Sequence, residues 1–441
     1  VFHHLLTRHE VNLWRMPFVL SLAATVLFGA TVSIDSLNAQ GILHLPGWIS
    51  NGGIDDARSI LSSEMGAVST VLALIFSVAL LVLSMVATLF GFRLLYRFVQ
   101  DWVTQVTIGL FLATFIYILL AYVATRSDDH VVFIPQLTLL TASLLVVLSF
   151  GFLVFYSHRI AVSIQNPDMI ARIVLDIEAA LKNQLEFKKN AIQAMPANLT
   201  PIREDDRVAG LIHSARSGYL QELDRKAILQ AAVSMNVQIE FLFRPGQFVQ
   251  RGDLLAKVYP FSTSHTLQSL IERTIRIGSH RVLAQDPEFG LYQIVEIGIR
   301  ALSPAVNDTF TGVACIDCIG DALRILLTTS PHDGLWYDNL GELRIQEPQL
   351  KFERLVKVAF EQIRQASVDT PAVLIRILST TERLAKLLRT DSERQAMLDQ
   401  AAAVWEASVA GNLVALDRDD IQDAWEKARA ALTIGMTRDS A

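Results

Sequence analysis

The chain has 441 residues, 51% of them hydrophobic, with a mean hydropathy of +0.37 and a formal net charge of −6. That apolar excess argues against an ordinary soluble globule, and an acidic balance with no basic patch interleaved with aromatics gives no footprint for a nucleic-acid partner. Two cysteines, Cys315 and Cys318, are too few for a disulfide scaffold and point to a reducing compartment for the part of the chain that holds them.

Charge is distributed unevenly. All seven basic residues among the first 160 are arginines, and no lysine precedes Lys182. Four apolar stretches of spanning length occupy this region: Met16–Leu37, Gly66–Phe92, Val103–Ala124 and Val131–Ser157. Each reaches the ~20 residues that cross a hydrocarbon core. The opening residues lack a signal-peptide cleavage pattern, so Pro17–Ile34 reads as a retained span. Arg8, Arg15, Arg93, Arg97, Arg159 and Arg172 flank the spans on one side, and Asp35, Asp55, Asp56, Asp128 and Asp129 gather on the other. The positive-inside rule then places both termini in the cytoplasm, with the lipid bilayer as the first partner. Trp14, Trp48, Tyr96, Trp102 and Tyr156 sit near span ends, where interfacial aromatics belong.

The second span has no ionisable group from Gly66 to Phe92 and carries hydroxyls at a spacing of seven: Ser63, Thr70, Ser77 and Ser84, with Thr88 one turn on. Seven residues are almost two helical turns, so these groups form one slowly drifting stripe. Two readings stay open. Helix packing is the one the stripe alone favours, Ser84-x-x-x-Thr88 being a small-xxx-small pair. The other is a pore lined by span two in a symmetric ring of subunits, since four spans cannot enclose a path without oligomerising. No ionisable residue is expected deep within a span, which disfavours an ion-coupled carrier. The stretch Asp35–Ser62, rich in Gly, Asn and Ser, is expected as an exterior loop.

Beyond the spans, Ile160–Phe187 shows apolar residues at helical spacing and is expected to continue span four as a long amphipathic helix, followed by a linker over 190–206. Residues 207–260 switch to strand-like alternation, with a helix at Asp224–Met235 capped by Asp224. Ser217-Gly218-Tyr219 with Pro245-Gly246-x-Phe248-Val249 resembles the hammerhead hairpins of lipoyl and biotinyl domains. Lys257 falls inside the final strand, and without a lysine at a hairpin tip this is read as a structural β module that carries no cofactor. From Leu267 onward the chain reads as helical, interrupted at 329–351, where a short hairpin fits around Glu342–Ile345. The fold class is thus a multi-domain membrane protein: four transmembrane α-helices (1–160), an amphipathic helix and linker (161–206), a small β-rich module (207–260) and a mainly α cytoplasmic domain (261–441).

At the junction Arg300-Ala301-Leu302-Ser303-Pro304-Ala305-Val306-Asn307-Asp308, Asn307 or Asp308 is suited to cap the following helix. Arg300, Ser303 and Asn307 beside a helix start could also receive an anion, and capping is the reading that needs only local geometry. Cys315-x-x-Cys318 lacks a second ligand pair, so two core thiols are expected and no metal. No nucleophile–base series or phosphate-cradling glycine loop occurs, and the chain is not read as an enzyme.

Leu13-Trp14-x-x-Pro17, Ser62-Ser63, Phe90-Gly91-x-Arg93-Leu94-Leu95, Arg244-Pro245-Gly246-x-Phe248-Val249, Arg273-Thr274, Gln285-Asp286-Pro287-x-Phe289-Gly290 and Ala301-Leu302-Ser303-Pro304-x-x-Asn307-Asp308 together resemble a bacterial family of predicted membrane proteins, domain of unknown function 2254. The family usually has proline where Thr309 stands and a basic residue where Cys318 stands. The resemblance implies a four-span protein of the bacterial inner membrane with a cytoplasmic domain, and brings no activity with it. The layout leads to a homo-oligomeric ion channel or pore-like protein regulated by its cytoplasmic domain. The alternative is a non-conducting scaffold or sensor that recruits cytoplasmic partners.

Overall fold

The computed structural model describes residues 15–43, 53–90, 102–128, 131–164, 168–191, 210–260, 265–329 and 334–434. The chain divides into two units at 166/167.

In the first unit, helices α1 (Arg15–Ala39), α2 (Ile54–Phe90), α3 (Trp102–Ala124) and α4 (Gln136–Ile164) are each long and apolar enough to cross a membrane. Helix α3 is the hub and packs against the other three. Its Phe111, Tyr117 and Ile118 are fully buried in a core shared with Leu61, Val68 and Ile75 of α2. Gly109 allows α1 to come close: a β-carbon there would lie 2.8 Å from the Leu20 side chain and 3.0 Å from the Pro17 α-carbon.

Two expectations for this unit are corrected. Helix α2 begins at Ile54, so Asp55, Asp56, Arg58 and Glu64 ride on a helix and not in an exterior loop; Asp55 and Asp56 suit its first turn, where the positive dipole end favours carboxylates. Asp35 likewise belongs to α1. Of the expected loop, residues 44–52 lie outside the described residues. Val131–Phe133 is not the start of span four but a strand (β2) paired antiparallel with Arg126–Asp128 (β1), its β-branched valines suiting an extended backbone. Helix α4 is described to Ile164 and an amphipathic helix, α5, over Asp168–Ala191; the expected continuation of span four passes through residues 165–167, which lie outside the described residues. Of the expected linker, residues 192–206 lie outside the described residues.

The second unit joins two small sheets to a block of helices. The strands here are β3 (Gly210–His213), β4 (Gly218–Leu223), β5 (Gln238–Phe241), β6 (Phe248–Val249) and β7 (Leu254–Tyr259); α6 (Arg225–Ser234), between β4 and β5 in the chain, contributes Ile228 and Ala232 to their core, and its N-terminus is capped by Asp224 accepting from the Ala227 amide. Two departures stand out. Helix α7 (His265–Thr274) ends sooner than expected, and Ile275–Gly278 is a strand (β8) added to β4, because Ile275 and Ile277 suit an extended backbone. Strands β9 (Leu335–Tyr337) and β10 (Leu343–Gln346) then enter the larger sheet, order β3-β7-β5-β10-β9, with β10 parallel to β5. Residues 207–260 therefore do not close a sheet on themselves. The hammerhead-like residues do pair, Gly218 opposite Val249 and Tyr219 opposite Phe248, while Lys257 lies mid-strand between β3 and β5.

The helices are α8 (Pro287–Ala301), α9 (Thr309–Thr328), α10 (Phe352–Ala366), α11 (Pro371–Leu384), α12 (Asp391–Ala410) and α13 (Ala415–Thr433). Helix α5 packs on α8 and α9, where Gly290 makes room: a β-carbon there would fall 2.5 Å from Ile177.

Candidate functional site

Helix α2 has two faces with the same period. Leu61, Val68 and Ile75, seven apart, are at most 2% exposed and turn into the bundle. Ser63, Thr70, Ser77 and Ser84 stand two positions further on, which is the opposite side of a 3.6-residue helix, and all four are exposed. Among the described residues, then, the stripe lies on the face turned away from the bundle core. Thr70 and Ser77 donate to the carbonyls of Gly66 and Ala73 at 2.8 and 3.0 Å, so their hydroxyls are satisfied by their own helix. Phe76 and Leu81 are exposed among them, and Leu80 is 64% exposed. The side chain of Thr88 lies outside the described residues.

Polar groups unanticipated from sequence hold the bundle together. Asp35 is 3% exposed and accepts three hydrogen bonds at the start of α4, from the Leu137 amide (2.9 Å), the Thr138 amide (2.9 Å) and the Thr138 hydroxyl (2.7 Å). It caps a helix on which it does not lie, and a carboxylate there also meets the positive end of the dipole. Ser143 donates to Glu64 at 2.6 Å, Thr31 bonds the Tyr117 hydroxyl at 2.7 Å, and Thr114 bonds Ser149 at 2.9 Å. Each ties together two different helices.

In the second unit, two sequence motifs meet in a buried charge cluster. Asp286 is fully buried and Glu288 is 1% exposed. Arg281 grips Asp286 through Nε (2.7 Å) and Nη2 (2.9 Å) and lies over the rings of Phe289 and Tyr292. Glu288 is held by Arg244 on one oxygen and by Arg354 at 2.8 Å on the other. Burial pushes the Asp286 carboxyl up, and Arg281 opposes that shift. Asp286 also accepts from the Phe289 amide and so caps α8. The arrangement spans α8, α10 and the turn before β6. Nothing in the sequence marked Arg281 or Arg354; two carboxylates flanking Pro287 at the head of an apolar helix were the available sign that counter-ions had to exist.

At the junction after α8, Asp308 and not Asn307 is the cap. Its carboxylate accepts from the Thr311 amide at 3.0 Å and the Thr311 hydroxyl at 2.6 Å, contacts that hold the carboxyl below its usual range. Asn307 instead takes a left-handed conformation, φ +51°, which asparagine tolerates better than most residues, and its amide closes the turn onto the Ser303 carbonyl. Ser303 returns its hydroxyl to the Arg300 carbonyl, and Arg300 pairs with Glu296 along its own helix. The four residues form one tight turn committed to backbone geometry. Cys315 is buried, its thiol pushed up to about 12 by burial, and Cys318 is partly buried beside it; both are free. Among the described residues no group of three or more His, Cys, Asp or Glu side chains could hold a metal.

Four apolar helices of spanning length, followed by a separately folded unit of helices and small sheets, define a polytopic membrane protein in class. Residues 10–383 match the family described as predicted membrane protein, domain of unknown function 2254, and the chain belongs to that family. It is 28% identical over 359 residues to uncharacterized proteins of Mycobacterium bovis and Mycobacterium tuberculosis (strain H37Rv), covering 80% of this chain and 68% of each of those. No solved structure matches.

Proposed function

We propose that the chain assembles with copies of itself into a membrane pore for ions, regulated by the unit that follows Pro167. What supports this is the outward hydroxyl face of α2, exposed among the described residues and open to lipid or another chain. The interior of a single bundle is filled by Phe111, Tyr117 and Ile118, so a path would lie between copies and not through one. In a ring with α2 at its axis, Ser63, Thr70, Ser77 and Ser84 would hydrate a passing ion weakly enough to release it. Phe76 and Leu81, exposed on neighbouring turns, are the groups whose apolar ring could close such a path by dewetting.

Thiol accessibility with flux tests this. In a background lacking Cys315 and Cys318, Ser77→Cys should react with a small water-soluble thiol reagent and its modification should change ion flux in vesicles. Ile75→Cys, on the bundle-facing side, should resist. Equal protection of both positions, with no flux above empty vesicles, defeats the pore. A non-conducting scaffold or sensor then takes its place, a reading favoured by the bonds of Thr70 and Ser77 to their own helix, which leave those hydroxyls no need of water.

For orientation, the arginine-rich flanks support termini in the cytoplasm of a bacterial inner membrane. A cysteine placed at Asn51 should be labelled from outside intact cells and one at Asn198 spared. Labelling at Asn198 overturns the assignment.

A further inference from the structure

The helical block of the second unit has one apolar end. Arg354 at the start of α10 reaches Glu288 at the start of α8, and a β-carbon on Gly298, near the end of α8, would lie 3.1 Å from Ile363, near the end of α10. The two helices therefore run in the same direction, and their C-terminal ends share one side of the block. Helix α12 ends there too: a β-carbon on Gly411 would lie 3.0 Å from the Val368 carbonyl, and the Asn412 amide donates to Asp369 at 3.2 Å. The turns and helix ends on this side carry Val306, Phe310, Val409, Val414 and Leu416, all exposed, Phe310 by 90% and Leu416 by 72%. Single apolar residues on a surface need no explanation, but five gathered at one end do, because chain connections are ordinarily polar. At the opposite end, where α10 and α12 begin, the groups are polar and satisfied. Glu353 accepts from the Ser392 hydroxyl, and Glu393 from the amides of Arg389 and Thr390.

Helix α5 enters the second unit from the apolar end. Its Ile177 lies against Gly290 in the first turn of α8. Leu181, one turn further along α5, lines a cavity with Pro287 and Phe352, at the starts of α8 and α10. Helix α5 thus runs antiparallel to α8, and its buried Ile173 and Ile170 lead back toward Ala301. Asp168, its first residue, is four positions after Ile164 of α4, a reach of at most about 14 Å of chain. The apolar end is accordingly the one tethered, on a short leash, to a helix of membrane-spanning length.

We propose that this end of the second unit docks on the bilayer surface, with Val306 and Phe310 inserted among the lipids and Val409, Val414 and Leu416 beside them. The contact is apolar and not electrostatic. Asp417, Asp419 and Asp420 open α13 next to Leu416, Arg418 donates back to the Leu413 carbonyl, and Arg300 is paired with Glu296. No free cation is left here to seek anionic headgroups among the described residues. Apolar side chains that lie in a membrane interface reach about 5–10 Å into the boundary between headgroups and acyl chains, a depth at which a nitroxide near the top of the acyl chain quenches a fluorophore.

The full chain with Cys318→Ser, in which the remaining Cys315 is fully buried, receives one added cysteine for a bimane label and is reconstituted into phosphatidylcholine vesicles with or without nitroxide lipid. The chain without an added cysteine gives the background. Phe310→Cys and Leu416→Cys should lose several-fold more fluorescence to the nitroxide than Arg389→Cys at the opposite end, and should resist aqueous iodide, which quenches Arg389→Cys. Phe310→Ser should lower the nitroxide quenching at Leu416→Cys several-fold while leaving the thermal midpoint unchanged, because Phe310 packs against little. Equal nitroxide quenching at Phe310 and Arg389, or equal access of iodide to both, overturns the proposal. Protection of Phe310 from iodide without nitroxide quenching, with copies cross-linking through Phe310→Cys, assigns the patch to a second copy and overturns it too. Quenching that appears only when phosphatidylglycerol is added would show attraction by charge and defeat apolar insertion. None of these readouts requires flux, so docking and conduction stand or fall separately.

Discussion

A β-carbon built on Gly246 would fall 2.1 Å from Oδ2 of Asp286. The turn that carries Arg244 to Glu288 therefore passes against the carboxylate that Arg281 holds, and only a residue without a side chain fits between them. Gly246 also sits at φ +93°, a conformation that L side chains rarely adopt. Gly246→Ala should destabilise the protein by at least about 2 kcal/mol, through backbone strain and displacement of Asp286 from Arg281. Thermal unfolding of the purified protein measures it, and an unchanged midpoint would refute the close approach.

Within the same cluster the arginines are unequal. The Arg244 and Arg281 side chains are 11% and 14% exposed, whereas Arg354 is 57% exposed. Removing a buried partner leaves an uncompensated buried carboxylate, so Arg281→Ala or Arg244→Ala should cost about 3–5 kcal/mol. Arg354→Ala should cost about 1 kcal/mol or less, because water screens its contribution. Equal losses at all three positions would show that the network is held by something other than burial.

For the membrane unit, the two faces of α2 should separate in mutational behaviour. Ile75→Ala should lose about 2–5 kcal/mol through the cavity it leaves. Thr70→Ala and Ser77→Ala should leave bundle stability within about 0.5 kcal/mol, as surface substitutions do. Unfolding in detergent against denaturant compares them directly. A large effect of Ser77→Ala on an otherwise monomeric preparation would place that hydroxyl in the bundle core and contradict its exposure.

Asp35→Ala should destabilise by about 1–3 kcal/mol, because it leaves buried amides of α4 without an acceptor. Asp35→Asn keeps one acceptor oxygen and should lose less. If alanine and asparagine behave alike, the carboxylate acts by charge and not by capping.

Asp308 supplies a pH-dependent test. Asp308→Ala should cost about 1 kcal/mol through the lost cap, with Asp308→Asn milder. The Asp308 carboxyl is held below its usual range in the fold. Its contribution is thus complete above the ordinary carboxylate value near pH ~4 and disappears as pH falls through the lower folded value. The stability difference between wild type and Asp308→Asn should shrink from about pH 6 to about pH 3. A difference constant with pH would mean that charge contributes nothing there.

What was legible in the sequence was whatever is written locally. Apolar runs gave four spans, and Asp224 was identified as a cap because each cap bonds amides only a few residues ahead. The failures share a cause, which is distance along the chain. Asp35 read as a loop charge because its acceptor role depends on Thr138, 103 residues on. Ile275 read as helical because Ile271 precedes it at helical spacing, and only the presence of β4 makes it a strand. The hydroxyl stripe was visible as a stripe, but its side of the helix was not, since that depends on Leu61, Val68 and Ile75 finding α3. Arg281 and Arg354 carried no local pattern, and an isolated arginine announces no partner.

Strand β5 receives β10 as its parallel neighbour, with Ile239 opposite Ile345. Synthesis proceeds at roughly 5–20 residues per second, so an emerging chain would hold one edge of β5 open for on the order of ten seconds before its partner exists. An unpaired edge is a template for other strands. The second unit is thus committed to folding late and as a whole, and a ribosome stalled or a chain cut anywhere between α7 and β9 would release a half-sheet whose most available partner is another half-sheet.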